Sequence, residues 1–384
     1  MSSKYPTSAG AYFWVYKLSS PKRRRLASWI NGWLTLVGVW TISLSVTFGT
    51  AQILVAGIGI YHPDWVPQPW QTYLIFVAIA VFSVLVGVFF NAFLPTLDII
   101  CAIWTALGVV VILIALSVKA ASGRHSAKFA FTHFDPSGSG WTPGWSFFIG
   151  LLPVAYTFSA IGMVNGGQPL GLLFELIMGS KGGGFGMWII IFGIGIFCGI
   201  SICCAASRAT WSFARDKAVP FHSLWSKVNH RLDDVPVYAN MLSLAVQLVL
   251  GLIFLGSSAA FNAFVGVAVM CLGASYAMPV AISLANGRKD MEDAPFNLGR
   301  WGFWINLWAV GWVAFSIVLF SMPAVIPVTK VTMMFVGFGA ISAIWYMISG
   351  KYVYHGPPNP LEEGKEGETA NTSSPAESFE AKAQ

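Results

Sequence analysis

From Gly150 to Gly162 the chain reads Gly-Leu-Leu-Pro-Val-Ala-Tyr-Thr-Phe-Ser-Ala-Ile-Gly. In an otherwise apolar setting, Tyr156, Thr157, Phe158, Ser159, Ala160, Ile161 and Gly162 combine hydroxyls and small side chains with two aromatic rings. Small residues leave room for a polar ligand, hydroxyls can bond it, and an aromatic face can carry a cationic amine. Gly, Ser and Thr also serve plain helix–helix packing in membranes, and that reading stays open. A second polar series, Thr41, Ser43, Ser45, Thr47, Thr50 and Gln52, lies in a long apolar run, with Thr41 and Ser45 one helical turn apart. Hydroxyls bonding back to their own helix account for most of it, which leaves Thr41 and Ser45 as candidates to line a pathway. Ser201, Ser207, Asn262, Ser275 and Tyr276 invite the same question, with a structural role competing at each. Finally, Arg208, Arg215 and Asp216 stand among Trp211, Phe213, Phe221, Leu224 and Trp225. That pattern reads as an interfacial segment on an anionic leaflet, or as a gate whose Arg215-Asp216 pair exchanges partners.

Other chemistries find no residues to carry them. The histidines stand at 62, 125, 133, 222, 230 and 355, all in predicted loops or tails, so no catalytic or metal-binding cluster is visible inside an apolar run. The five cysteines show neither a disulfide framework nor zinc spacing. No Gly-rich loop ending in Lys and Ser/Thr offers a nucleotide site. Neither an enzyme nor a cofactor is expected. The net charge of +6 comes from basic residues at the ends of apolar runs, not from a stripe interleaved with stacking aromatics, which argues against nucleic acid.

The elements that position these residues follow from composition. With 56% hydrophobic and 10% charged residues, a chain of 384 residues cannot cover itself with a water-compatible surface. It needs lipid. A bilayer-crossing helix takes about 20 mostly apolar residues, and about nine such runs are visible, over 29–58, 73–93, 99–118, 145–164, 185–207, 236–256, 259–284, 305–322 and 331–349. The first exceeds the hydrocarbon thickness, which suggests tilt or extension into the interface. The sixth and seventh are separated at Gly256-Ser257-Ser258. The predicted organisation is a cytoplasmic segment 1–28, a transmembrane domain 29–350 and a polar tail 351–384, whose Glu, Ser, Ala, Pro and Lys from Pro357 onward predict disorder. No secretory signal opens the chain.

Lys and Arg concentrate in cytoplasmic loops. Lys22-Arg23-Arg24-Arg25 therefore places the N-terminal segment inside, and the loop 61–72 outside. Lys119, Arg124 and Lys128 then fall outside, in a loop long enough to weaken the rule. The basic loops 208–231 and 288–300 belong inside too. Both halves cannot satisfy this with an odd number of spans. The conflict sits between Val164 and Gly184, where Gly166-Gly167-Gln168-Pro169 leads to a short amphipathic piece at 170–178 that carries Glu175 and cannot cross. A missing helix there resolves the parity better than a re-entrant segment or an inverted half.

Four separated motifs carry a family resemblance: Tyr5-Pro-Thr-Ser-Ala-Gly-Ala-Tyr-Phe-Trp14 with Trp29-Ile-Asn-Gly-Trp33, the run 151–162, the run Ser207-Arg-Ala-Thr-Trp-Ser-Phe-Ala-Arg-Asp-Lys-Ala-Val-Pro220, and Ala294-Pro-Phe-Asn-Leu-Gly-Arg300. Together they resemble fungal amino acid/choline/GABA permeases of the amino acid–polyamine–organocation superfamily, over nearly all of residues 4–358. The resemblance implies an all-α integral membrane protein, a polytopic helical bundle with an incomplete leucine-transporter-type inverted-repeat permease fold. It implies that the first helix, most of the second and the region of the seventh are missing, the last between Val164 and Asn165. It also implies secondary transport of a small polar solute (an amino acid, GABA, choline or a polyamine-like amine) by alternating access, in the plasma or vacuolar membrane, with a proton as the possible coupling ion. No ionisable residue stands well inside a predicted span, so the sequence names no proton relay. The competing reading is a truncated membrane protein that no longer transports, or a regulatory partner of a full-length permease.

Overall fold

The computed structural model describes residues 1–7, 9–119, 126–136, 141–150, 170–232, 234–256, 258–321 and 339–357. Among them the regular structure is helical apart from one bridge between Asn229 and Val235. The principal helices are α1 (Ala11–Leu18), α2 (Arg24–Tyr61), α3 (Pro69–Phe89), α4 (Leu94–Lys119), α5 (Leu170–Met178), α6 (Lys181–Arg215), α7 (Val237–Gly251), α8 (Ser258–Ala285) and α9 (Trp301–Phe320). Seven segments among the described residues are long and apolar enough to cross a bilayer. They match seven of the predicted spans. The predicted span 145–164 lies largely outside the described residues and 331–349 in part, while the tail from residue 358 and the ligand-like run Tyr156–Gly162 lie wholly outside.

Side-chain exposure explains why such a bundle needs hydrocarbon. Leu107 is 63% exposed, Leu113 65% and Trp308 79%, all well inside helices whose exposed sides are apolar between their ends. At about 25 cal/mol per Å² of apolar surface, leaving these faces in water would be unfavourable for every helix at once.

The 38 residues of α2 form the hub. At 1.5 Å per residue it is about 57 Å long, nearly twice the hydrocarbon thickness, so its ends project beyond the core as its length predicted. It packs against α1, α3, α5, α6, α7 and α8. Leu44, Phe48 and Ala51 lock it to Phe76 and Ala80 of α3, while Ile53 and Ile60 lock it to Phe174, Met187 and Trp188. The short α5 lies beside the far end of α2 at very close range. A side chain at Gly171 would strike the Ala56 carbonyl, a backbone atom that cannot swing aside. Because α5, the end of α4 and Tyr61 share this region, residues 170–180 occupy the face opposite to Lys22–Arg25.

Two boundaries differ from their expected positions. The interruption expected between the runs 73–93 and 99–118 falls earlier, in a 3-10 turn over Asn91–Phe93, and Leu94-Pro95 already begin α4. Proline is tolerated in a first helical turn, where its missing N–H has no partner to lose. Arg208, expected to open a loop, is helical, because α6 continues to Arg215. Burial sustains the extension: Thr210, Phe213 and Ala214 turn one face of that last stretch into the protein.

Candidate functional site

The polar series of α2 is buried, as a protein-facing rather than lipid-facing stripe. Thr41, Ser43, Ser45 and Thr47 are each under a tenth exposed. Most of the hydroxyls bond back to their own helix: Thr41 donates to the Val37 carbonyl at 2.8 Å, Ser45 to Thr41 at 2.9 Å, Thr47 to Ser43 at 2.8 Å and Thr50 to Val46 at 2.8 Å. This is the local satisfaction expected of Ser and Thr inside a helix.

Polar links to other helices are few. Trp40 Nε1 donates to Thr210 Oγ1 at 3.0 Å and to Ser243 Oγ at 3.2 Å, joining α2, α6 and α7. One turn on, Ser43 meets the Cys203 thiol at 3.4 Å. Gln247, fully buried, lies beside Cys203, yet neither of its amide atoms makes a hydrogen bond of acceptable geometry. Toward the other side, Asn31 Nδ2 donates to the Ser275 carbonyl at 2.7 Å, and the Ser275 hydroxyl donates to Leu272 within α8.

At the end of the bundle that carries Lys22–Arg25 the sequence motifs converge. Tyr12 of α1 donates its hydroxyl proton to Asp216 Oδ2 at 2.7 Å. Its oxygen also lies 3.0 Å from Ser212 Oγ, so Ser212 must be the donor there. Arg215 Nε supplies Asp216 Oδ1 at 3.3 Å, and its guanidinium stands over Trp211, 5.1 Å from the ring centroid. The Asp216 side chain is 1% exposed. Ser28 continues the network. Its hydroxyl donates to the Tyr12 carbonyl at 2.9 Å, so the 2.7 Å contact with Tyr354 has Tyr354 as donor. Burial raises the Tyr12 phenol well above its usual range, with the Asp216 charge adding to it, and burial raises Tyr354 likewise. Both phenols are therefore protonated donors at physiological pH.

Around this network Trp29 packs edge-on against Tyr346 and Tyr354 and tilted against Phe213. Gly32 lies under the Phe213 ring, which a side chain there would strike. The Trp29-Ile-Asn-Gly-Trp33 motif thus has a physical reading: one indole anchor, one interhelical amide and one gap for a ring. Of the three residues singled out as a gate or interfacial loop, Arg215 and Asp216 belong to this network. Arg208 does not, reaching Asn91 at 3.5 Å on the exposed side. Phe213, Ala214 and Val219 face the protein rather than the leaflet, whereas Phe221 is 79% exposed.

Among the cavities bordered by described residues, two bear on these side chains. One, of about 440 Å³, has walls of Trp29, Trp33, Val37, Cys271, Ser342 and Tyr346. The other, of about 330 Å³, adjoins Tyr276, Arg288 and Asn297. Thr41, Ser45 and Ser275 line neither, and Tyr276 lines the second. Neither of these two cavities gathers the candidate hydroxyls. Ser201 has a local explanation, since it donates to Asp98 Oδ1 at 2.8 Å. Sequence reasoning missed Tyr12, Ser28 and Tyr354. Their signal was only that tyrosines flank the basic N-terminal run and end the final apolar one.

The sequence model of the amino acid permease family matches this chain in two stretches, residues 1–166 and 159–345. The choline transporter of Saccharomyces cerevisiae is 30% identical, in an alignment covering 92% of this chain and 72% of that protein. A homolog of amino-acid permease BAT1 from Oryza sativa is 32% identical, over 94% of this chain and 82% of its own. The polyamine transporter TPO5 of Saccharomyces cerevisiae is 28% identical, over 82% and 60% respectively. The alignment with the choline transporter spans 413 positions but takes in 92% of 384 residues, about 353, so about 60 of its positions face no residue of this chain. The two matched stretches overlap at residues 159–166, at the near edge of the segment 164–184 where the loop charges conflict.

Proposed function

As a member of the amino acid permease family, this chain is an integral multi-pass membrane protein, and we propose that it carries amino acids or related amines across the bilayer by alternating access. The relatives named above are permeases and transporters, which does not favour a non-transporting protein. The observation that carries the mechanism is the buried Asp216 carboxylate, held by Tyr12 from α1 and by Arg215 and, through Tyr12, Ser212 from α6. A buried carboxylate that loses its donors is strongly destabilised. On this reading the contact between α1 and α6 at Asp216 closes the cytoplasmic end, and release of solute to the cytoplasm requires the two helices to part.

Two further supports concern the solute. The 440 Å³ cavity is lined by the aromatic residues Trp29, Trp33 and Tyr346, side chains of the kind on which an ammonium group can rest. The run Tyr156–Gly162 is proposed, on sequence alone, as the polar interruption that holds the solute midway through the bilayer. A proton is the proposed coupling ion, in the plasma or vacuolar membrane. The internal break at Val164–Asn165 is read as loss of a segment containing the seventh family helix, in keeping with the about 60 unmatched positions.

Uptake of radiolabelled choline, GABA, amino acids and polyamines into expressing cells tests this directly. The chain is compared with one in which the internal gap is restored from a relative. Saturable uptake of one solute class that collapses when the proton gradient is dissipated supports the reading. Failure of both chains to accumulate any of these solutes refutes it.

A further inference from the structure

We propose that the 330 Å³ cavity where α8 ends and α9 begins holds the phosphate of an anionic phospholipid of the cytoplasmic leaflet, with Arg288 as its receiving cation. The cavity is walled by Ser2, Tyr276, Pro279, Arg288, Asn297 and Asn306 among others, and Arg288 is its one charged side chain. The guanidinium is held in place by neutral acceptors. Nη1 donates to the Gly299 carbonyl at 2.6 Å and Nη2 to Asn297 Oδ1 at 3.2 Å, while Nε is buried with no partner. Among the described residues no carboxylate lies within ion-pair distance of it. The nearest acidic neighbours in sequence are turned elsewhere: Asp290 accepts from Asn286 at 3.2 Å, and Glu292 and Asp293 are exposed. A positioned guanidinium with spare N–H donors and no counter-charge is complementary to a phosphate, which it can take through two parallel bonds.

Position decides in favour of a lipid as the phosphate's source. Lys4 Nζ donates to the Asp290 carbonyl at 2.6 Å and Asn286 to the Leu18 carbonyl at 2.9 Å, so this turn shares the face of the basic run Lys22–Arg25. Basic pockets between transmembrane helices on that face suit anionic head groups. Beside the cavity, Tyr276 is 57% exposed, Trp301 70% and Trp304 63%, an aromatic belt at head-group level. Pro279 and Val280 give the apolar wall along which an acyl chain descends. The motif Ala294–Arg300 thereby acquires a purpose: Asn297 accepts from Gly299 N at 3.0 Å, donates to the Met291 carbonyl at 3.1 Å and steadies Arg288.

The test is lipid binding to the purified full chain in mild detergent, read by native mass spectrometry, with phosphatidate, phosphatidylserine, phosphatidylcholine and inorganic phosphate as probes. Anionic lipids are expected to bind in preference to phosphatidylcholine. Arg288→Gln is expected to weaken them at least about tenfold, the loss of one charge-assisted contact. Because Arg288 also braces the turn, Asn297→Asp provides the control. It keeps the arginine but sets a carboxylate against it, and is expected to weaken anionic lipids to a similar extent. Equal binding of phosphatidylcholine, unchanged binding in both variants, or inorganic phosphate binding as tightly as phosphatidate would each overturn the proposal.

Discussion

Replacing Tyr12 by Phe removes one oxygen and leaves the ring in place against Phe213, 5.3 Å away between centroids. What is lost is the 2.7 Å bond to Asp216 Oδ2 and, with it, the acceptor for Ser212. A hydrogen bond to a charged group is worth about 1.5–3 kcal/mol net. The 1% exposure of the Asp216 side chain favours the upper part of that range, since water cannot readily take the place of the phenol. The same loss corresponds to a decrease of about 10- to 150-fold in the equilibrium holding α1 against α6, at 1.4 kcal/mol per tenfold. A double-mutant cycle isolates the term: Tyr12→Phe, Asp216→Asn and the pair, each unfolded by titration in mixed detergent micelles. Contacting residues in one network show coupling of about 0.5–3 kcal/mol, and here a value above about 1 kcal/mol is expected. Additive losses in the cycle would mean that the phenol and carboxylate do not hold each other, and the proposed cytoplasmic closure would have no basis.

Alkaline titration addresses the same network from another side. Burial raises the Tyr12 and Tyr354 phenols, so the stability they contribute is complete below the unfolded phenol value of about 10 and is lost as pH rises beyond it toward the folded values. Melting temperature followed from pH 7 to 11 should fall less steeply at the alkaline end in Tyr12→Phe and Tyr354→Phe than in the parent; parallel curves would contradict this. Gly171→Val should destabilise by about 1–3 kcal/mol, typical of overpacking, because its side chain meets the Ala56 backbone; detergent unfolding that matches the parent would show that α5 does not seat there. Gln247→Leu should be neutral or stabilising, up to about 3 kcal/mol, because its two buried amide atoms lack partners; a marked loss of stability would reveal a partner the side chain needs. Gly162→Leu should abolish uptake with membrane insertion intact, whereas retained uptake would remove residues 156–162 from the solute site.

How much of this was legible in the sequence depends on the reach of each interaction. Hydropathy located the α2, α3, α4, α6, α7, α8 and α9 spans because each satisfies its backbone internally and needs only lipid outside. The back-bonded hydroxyls of Thr41 and Ser45 were also legible, since their acceptors lie four residues away. Nothing local announced that Tyr12 would meet Asp216, 204 residues on, or that Ser28 would meet Tyr354, 326 residues on. The helical state of Arg208 was equally hidden, because burial of Thr210 and Phe213 under α1 and α2 outweighs the end of the apolar run. Charge parity, by contrast, points to a missing helix between Val164 and Gly184, while the family model matches in two stretches that meet at 159–166.

The self-satisfied hydroxyls of α2 have a mechanical consequence. A rod whose oxygens are already occupied by its own carbonyls presents its neighbours with methyl and methylene groups, and apolar surfaces resist tangential displacement weakly because dispersion has little angular preference. Along that stretch α2 acts as a nearly smooth bearing, and a neighbouring helix can slip by a fraction of a turn at the cost of little more than the weak Ser43–Cys203 contact. Friction is concentrated instead where α2 reaches across with stronger bonds, at Ser28, Asn31 and Trp40, so those side chains mark the points about which a rocking bundle would pivot.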